Sequence, residues 1–302
     1  MLSLSSRGTF RASITTSWMT GGFKTAGLMT GGLLVALLAA SPARAGFTTF
    51  SVGGDATTAS IQTTVDAFRA ALGNPNNGNA AGPLFSGRRE INWDGGGATN
   101  SSSSGSPLTA FTNTRGATFT TPGTGFLQTP LADPVFIGIN PTYATTFSTF
   151  SPLRIFTPTG SNVTDSAFSI PGTSGATAAT VGGFGAVFSD VDVANQTTIQ
   201  FFDTGNNLIF TAAAPRGTVP TASLSFVGAI ANAGERIARV RITTGNSALG
   251  PNDANGDTTD VVVMDDFLFA EPAAVPEPAG LALATMGIIG LIRPRRGHHP
   301  SR

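Results

Sequence analysis

Cysteine is absent from this chain of 302 residues, which excludes a disulfide framework and thiol chemistry. Histidine and lysine are nearly absent. Both histidines, His298 and His299, lie close to the C-terminus, and Lys24 is the only lysine. Residues 46–274 therefore lack the usual base for a serine nucleophile, the amine for a Schiff base and the commonest zinc ligands. We expect no enzyme of these classes.

Charge is also scarce, because charged residues make up only 11% of the chain and the formal net charge is zero. No basic surface is indicated, so we expect no nucleic-acid partner. Phenylalanine, by contrast, occurs 22 times, which is too frequent for a solvated linker. The many short apolar runs between Gly, Ser, Thr and Asn favour a mostly β, secreted domain.

The N-terminal segment has the three parts of a secretory signal peptide. Arg7, Arg11 and Lys24 precede the apolar run at residues 33–40, and an Ala-x-Ala site ends at Ala45. Residues 1–45 are therefore predicted to be removed on export through the inner membrane. The alternative is a hydrophobic N-terminal helix of a folded domain.

The C-terminal segment, residues 275–302, also has three parts. Its two prolines favour an extended backbone that a processing enzyme can bind. An uncharged apolar run follows at residues 279–292, and the arginines after it are typical of a stop-transfer signal with its basic end in the cytoplasm. The motif and basic cap consist of Pro276, Glu277, Pro278, Arg293, Arg295 and Arg296.

In order and spacing, this tail resembles the PEP-CTERM sorting signal of Gram-negative bacteria. The resemblance implies a transmembrane helix over the apolar run, cleavage near the motif by an exosortase-type membrane protease, and a location in the cell envelope, at the cell surface or in the extracellular matrix. Proteins of this group are often linked to exopolysaccharide or biofilm, so extracellular polysaccharide is an implied partner. An ordinary C-terminal membrane anchor is the alternative.

Between the two signals, we predict a β-sandwich or jelly-roll-like fold with one short helix at about residues 60–72. Ile61, Val65, Phe68 and Leu72 form the apolar stripe of that helix. Residues 46–116 are expected to pack on a β domain at residues 117–272, with a Gly/Ser-rich loop at residues 96–106. Strands are predicted at 117–121, 135–139, 145–150, 153–157, 163–170, 181–191, 197–202, 208–212, 224–230, 237–243 and 261–269.

Three stretches within that domain, at residues 187–192, 235–242 and 264–267, are similar to a domain of other secreted bacterial proteins that carry this tail. That group has no assigned activity. The acidic pair before Phe267 is also similar, at the level of fold, to carbohydrate-binding jelly rolls. A carbohydrate-binding module is therefore an alternative to a purely structural role.

Aspartates and asparagines indicate calcium as the ion to test. Asp253, Asn255 and Asp257 occupy the first, third and fifth positions of an EF-type loop. Thr258 and Met264 then depart from that pattern, so a solvated loop remains the alternative. Other candidate ligands for a structural calcium are Asp190, Asp192, Asp265 and Asp266.

Strand geometry places neighbouring residues on opposite faces, so we expect only one of Asp265 and Asp266 to face any given site. An inward-facing aspartate needs an ion, an arginine or backbone donors. Arg239 or Arg241 is the arginine that we expect to fill that role.

Trp93, flanked by Asn92 and Asp94, is the best candidate for sugar binding, since a pyranose can stack on an exposed aromatic ring; Tyr143 is a second aromatic. A pair of carboxylates, either Glu90 with Asp94 or Asp190 with Asp192, would be needed for glycoside hydrolysis. A packed tryptophan beside solvated acids is the simpler interpretation. We therefore expect an exported protein with a structural or binding role, and not an enzyme.

Overall fold

A computed structural model describes residues 46–95, 97–253 and 258–275. The predicted signal peptide and the sorting tail after Val275 lie outside the described residues. The described part is mostly β, as predicted, and contains three helices: α1 (Thr58–Leu72), α2 (Pro134–Ile139) and α3 (Tyr143–Thr146). The strands are β1 (Phe47–Gly53), β2 (Arg88–Ile91), β3 (Ser102–Ser104), β4 (Ala117–Thr120), β5 (Gly125–Thr129), β6 (Ile155–Thr159), β7 (Val163–Phe168), β8 (Ala179–Thr180), β9 (Gly183–Ser189), β10 (Thr198–Phe202), β11 (Leu208–Ala213), β12 (Leu224–Ala231), β13 (Arg239–Thr243), β14 (Val263–Ala270) and β15 (Ala273–Ala274).

Two large antiparallel sheets share one apolar core, as in a β-sandwich, and β8 pairs with β15 in a separate two-stranded sheet. The larger has the order β1-β12-β9-β14-β6-β5-β3, with β2 paired to β14, and the smaller has the order β11-β10-β13-β7-β4. Phe184, Phe188 and Phe267 from the large sheet join Phe201 and Val240 from the small sheet in this core. Alternation along each strand sends apolar side chains inward, which buries the phenylalanines noted in the composition.

Side chains alternate between the two faces along β13, within the strand predicted at residues 237–243. Val240 and Ile242 are fully buried, whereas Arg239 and Arg241 lie on the opposite face and both bind Asp165. The expectation that one of these arginines would neutralise a buried aspartate of the candidate sites is therefore wrong.

Helix α1 covers the outer face of the large sheet through the predicted stripe. Ile61, Val65, Phe68 and Leu72 are all buried. Phe68 lies directly over two strands that carry glycine, and a Cβ atom at Gly228 would come within 2.7 Å of its ring. The missing side chain thus allows helix and sheet to approach closely. Among the described residues, no helix combines the length and apolar character needed to cross a membrane.

Two predicted strands are wrong. Residues 135–139 form α2, because Asp133 accepts a hydrogen bond from the Val135 amide and Pro134 occupies the first turn. Residues 145–150 begin in α3 and continue as a loop. Conversely, β1, β2 and β3 belong to the large sheet, so residues 46–116 form part of the sandwich itself.

Candidate functional sites: an aspartate cluster and an acidic bulge

An aspartate cluster lies in loops beside one end of the adjacent strands β9 and β14 of the large sheet. Carboxylate oxygens of Asp190, Asp192 and Asp253 all lie within 4.8 Å of one another. Asp260 joins them, because its Oδ1 accepts a hydrogen bond from the Asp192 amide at 3.0 Å. These four residues, called the aspartate cluster below, come from the loop after β9 and the loop between β13 and β14.

Backbone hydrogen bonds fix the geometry of this cluster. Asp190 adopts a left-handed conformation with φ of 69°, and its Oδ1 accepts from the Ala222 amide at 2.8 Å. Asp253 Oδ2 accepts from the Val261 amide at 2.7 Å. A non-glycine residue with positive φ is uncommon and often marks a functional site. The strand ends therefore hold the carboxylates together despite their like charge.

Electrostatics in the cluster favour the uncharged form of the aspartates. Burial, followed by the charges of Asp192 and Asp253, raises the pKa of Asp190 to about 8. Burial likewise raises the pKa of Asp260 to about 6, and Arg216 offsets this only in part. Within the described ranges, no arginine lies at ion-pair distance from Asp190, Asp192 or Asp260.

One oxygen of the cluster has unmet bonding capacity. Asp260 is fully buried, and no hydrogen-bond partner reaches its Oδ2 among the described residues. An all-oxygen ligand set with surplus negative charge is the chemistry that a hard divalent cation such as Ca²⁺ prefers. The arrangement can therefore hold such an ion.

The cluster differs in membership from the ligand set expected from the sequence. Asp190, Asp192 and Asp253 are brought together, whereas Asn255 and Asp257 fall outside the described residues. Asp265 and Asp266 lie elsewhere on β14. Asp260 was missed, although it closes the same Asp/Asn-rich run that drew attention to Asp253.

A β-bulge in β14 places Asp265 and Asp266 on the same face of the sheet. Met264 pairs with Phe188 and Phe267 with Ala186, so two aspartates together oppose the single residue Val187. The side chains of Met264 and Phe267 both enter the shared core, leaving the two carboxylates on the helix side. The expectation that they face opposite ways is wrong, because the extra residue resets the alternation.

Each carboxylate of this acidic bulge has donors from the chain. Asp265 Oδ2 accepts from the Phe150 amide at 2.7 Å, and its Oδ1 accepts from the Ser151 hydroxyl at 3.1 Å. Asp266 Oδ2 lies 3.2 Å from Arg69 Nη2. Burial raises the pKa of Asp265 well above its ordinary value, and it raises that of Asp266 as well.

Trp93 supports the bulge and is not available as a stacking surface. It is 1% exposed, and its ring is stacked on Phe156 with 3.6 Å between centroids. The indole N–H donates to the Asp265 carbonyl at 3.0 Å. Tyr143 is also fully buried. The prediction of sugar stacking on either ring is therefore wrong, since both faces are covered by the core.

The polar residues near Trp93 differ in exposure and in binding partners. Asn92 is exposed, whereas Asp94 is buried and accepts from the Arg154 amide at 3.0 Å. Glu90 instead binds Arg69 and Arg88. Glu90 and Asp94 are therefore held by different partners.

Comparison of the chain with protein-family models, curated proteins and solved structures found no significant match.

Proposed function

We propose that the protein is exported and sorted by its PEP-CTERM-like tail to the cell envelope or extracellular matrix. There the sandwich, which we take to be jelly-roll-like, has a structural or binding role. The N-terminal segment and the C-terminal tail support this location because both have the pattern of signals used by exported proteins. The lack of histidine, cysteine and lysine between them supports binding over nucleophilic catalysis.

We further propose that the aspartate cluster holds a structural calcium ion. The observation that carries this step is the convergence of Asp190, Asp192 and Asp253 beside the fully buried Asp260. An ion there would bind the loop after β9 to the loop between β13 and β14. Because it binds only the folded chain, calcium would stabilise the fold by mass action.

Thermal unfolding of the exported protein with calcium and with chelator tests the metal proposal. Calcium at 100 times its dissociation constant should add about 2.7 kcal/mol, which raises Tm by roughly 5–10 °C for a domain of this size. Asp192→Asn should abolish most of the rise, whereas Asp165→Asn, remote from the cluster, should retain it. An unchanged Tm in the wild type would exclude a calcium site.

Deletion of residues 275–302 tests the sorting proposal. The truncated protein should appear in the culture medium, whereas the full chain should remain with the envelope or matrix until it is processed. A truncated form that stays bound to the envelope would contradict sorting by the tail.

Hydrolysis of a glycan is the weaker alternative. Glu90 and Asp266 each place a carboxylate oxygen 3.2 Å from the same Arg69 nitrogen. Both carboxylates are thus engaged by one guanidinium group, whereas a glycosidase needs its two carboxyl groups free to act on opposite sides of the bond that is cleaved. This arrangement supports binding.

A further inference from the structure

A polar cavity of about 300 Å³ opens beside the acidic bulge. This volume lies at the lower end of the range of roughly 300–1,000 Å³ that is typical of small-molecule sites. All of the side chains that line it are polar or charged. They include Arg69, Asn76, Glu90, Asn92, Arg115 and Asp266. We call it the bulge cavity.

Two buried groups on this cavity have bonding capacity that the described chain does not use. Asp266 is 4% exposed, and its Oδ1 has no hydrogen-bond partner. Arg115 Nη1 is likewise buried without a partner, although Arg115 Nε donates to the Glu90 carbonyl at 2.9 Å. Buried polar groups are rarely left unpaired, because each costs about 1–3 kcal/mol. Both residues also line the bulge cavity.

The charges around the bulge cavity balance. Arg69 and Arg115 supply two cationic groups, and Glu90 and Asp266 supply two carboxylates. The arginines disfavour a metal cation, and the carboxylates disfavour an anion. A neutral molecule with many hydroxyl groups suits this lining, since each hydroxyl both donates and accepts.

The lining is held rigidly before any ligand arrives. Arg88 Nε lies 2.6 Å from Glu90 Oε1, and Arg69 holds the other Glu90 oxygen and Asp266. The β-bulge aims Asp266 at the helix side, and Trp93 secures the bulge backbone. A preorganised site loses less entropy when it binds a small ligand.

We propose that the bulge cavity binds one residue of a neutral sugar. Asp266 Oδ1 accepts a hydrogen bond from a sugar hydroxyl, and Arg115 Nη1 donates to a neighbouring oxygen. The inference specifies a ligand class for the proposed binding role. It depends on neither calcium nor the sorting tail.

The test is titration of the exported protein, made from the full sequence, with glucose, galactose, mannose, rhamnose and N-acetylglucosamine, followed by ligand-observed NMR. At least one sugar should bind saturably, and Asp266→Asn should weaken it about tenfold or more, because a hydrogen bond to a charged group is lost. Asp165→Asn is the matched control and should bind as the wild type does. Failure of every sugar to bind the folded wild type, or equal binding by Asp266→Asn, would overturn the proposal.

A second variant keeps the test decisive if Asp266→Asn does not fold. Asn92 is exposed on the rim, so Asn92→Phe should fill the cavity and abolish sugar binding without removing a core contact.

Glycine and inorganic phosphate serve as charged probes, and tighter binding of either one than of any sugar would refute a neutral ligand. Repetition in chelator separates the proposals, since sugar binding should persist even where the calcium site fails.

Discussion

The aspartate cluster and the acidic bulge both bury carboxylates, but different groups offset the cost of that burial in the two regions. Both bury several carboxylates on the large sheet. At the bulge, Arg69, Ser151 and the Phe150 amide supply donors to Asp265 and Asp266. At the cluster, the carboxylates face one another, with backbone amides and the more distant charge of Arg216 as compensation.

The contrast is between an acid pair that binds an arginine and a group of four aspartates that has only the distant charge of Arg216. Burying a charge is costly unless a partner or an ion offsets it. The bulge draws most of its compensation from the chain, so it should contribute to stability in any buffer. The cluster should contribute only when a cation is bound.

The largest expected effect is at the bulge. Asp265→Ala leaves the buried Phe150 amide without its acceptor, and the Ser151 hydroxyl loses one of its acceptors but keeps Asp94. We expect the free energy of unfolding to fall by about 3 kcal/mol, with and without calcium. Urea unfolding in both buffers measures it, and a loss confined to calcium buffer would break the comparison.

The same chemical change should have opposite signs in the two regions when metal is absent. Asp192→Asn removes repulsion from Asp190, so in chelator at pH 8 it should stabilise the fold by up to about 1 kcal/mol. Asp266→Asn loses the Arg69 pair and should destabilise the fold by roughly 1–2 kcal/mol.

Chemical denaturation of both variants in chelator, with the wild type as reference, gives the two signs. Destabilisation by Asp192→Asn would show that the cluster is compensated without a cation. The idea of an uncompensated cluster would then be wrong.

The pH dependence should sharpen the contrast further. The folded pKa of Asp190 is about 8 and that of Asp260 about 6, both above the ordinary value of 3.8. Between pH 4 and pH 8 the folded chain therefore binds more protons than the unfolded chain. The free energy of unfolding of the metal-free protein should fall as the pH rises from about 4 to 8.

Calcium needs the ionised carboxylates, so its stabilisation should grow over the same pH range. Melting curves at pH 5, 6.5 and 8, with calcium and with chelator, test both trends. A metal-free Tm that rises with pH would contradict the assigned shifts.

The smallest change in the free energy of unfolding is expected at Asp165, which lies outside both acidic regions. Asp165 pairs with Arg239 and Arg241 on the outer face of the small sheet. Partly exposed ion pairs contribute little, so Asp165→Asn should cost less than about 1 kcal/mol and should not respond to calcium. Its melting curve provides the baseline for the other variants, and a larger loss would make it unsuitable as a control.

Sequence patterns recovered elements whose periodicity is local. Helix α1 and strands β10 and β11 were predicted within about two residues of their observed bounds. Residues 135–139 were misassigned because their apolar run was given more weight than the Asp133-Pro134 cap. Strands β1, β2, β3, β5, β8 and β15 were not predicted, and β1 and β2 pair with strands that are distant in the chain.

Composition alone indicates the β-rich class, the lack of Cys, His and Lys in residues 46–274, and the concentration of aspartates around positions 190, 253 and 265. Which aspartates meet depends on the folded arrangement of the strands. Hydrogen bonding joins Asp260 to Asp192, an ion pair joins Asp266 to Arg69, and the bulge places both Asp265 and Asp266 on one face. The physical reason is that register and bulges arise from pairing between distant strands, and one extra residue in a ladder reverses every side chain beyond it.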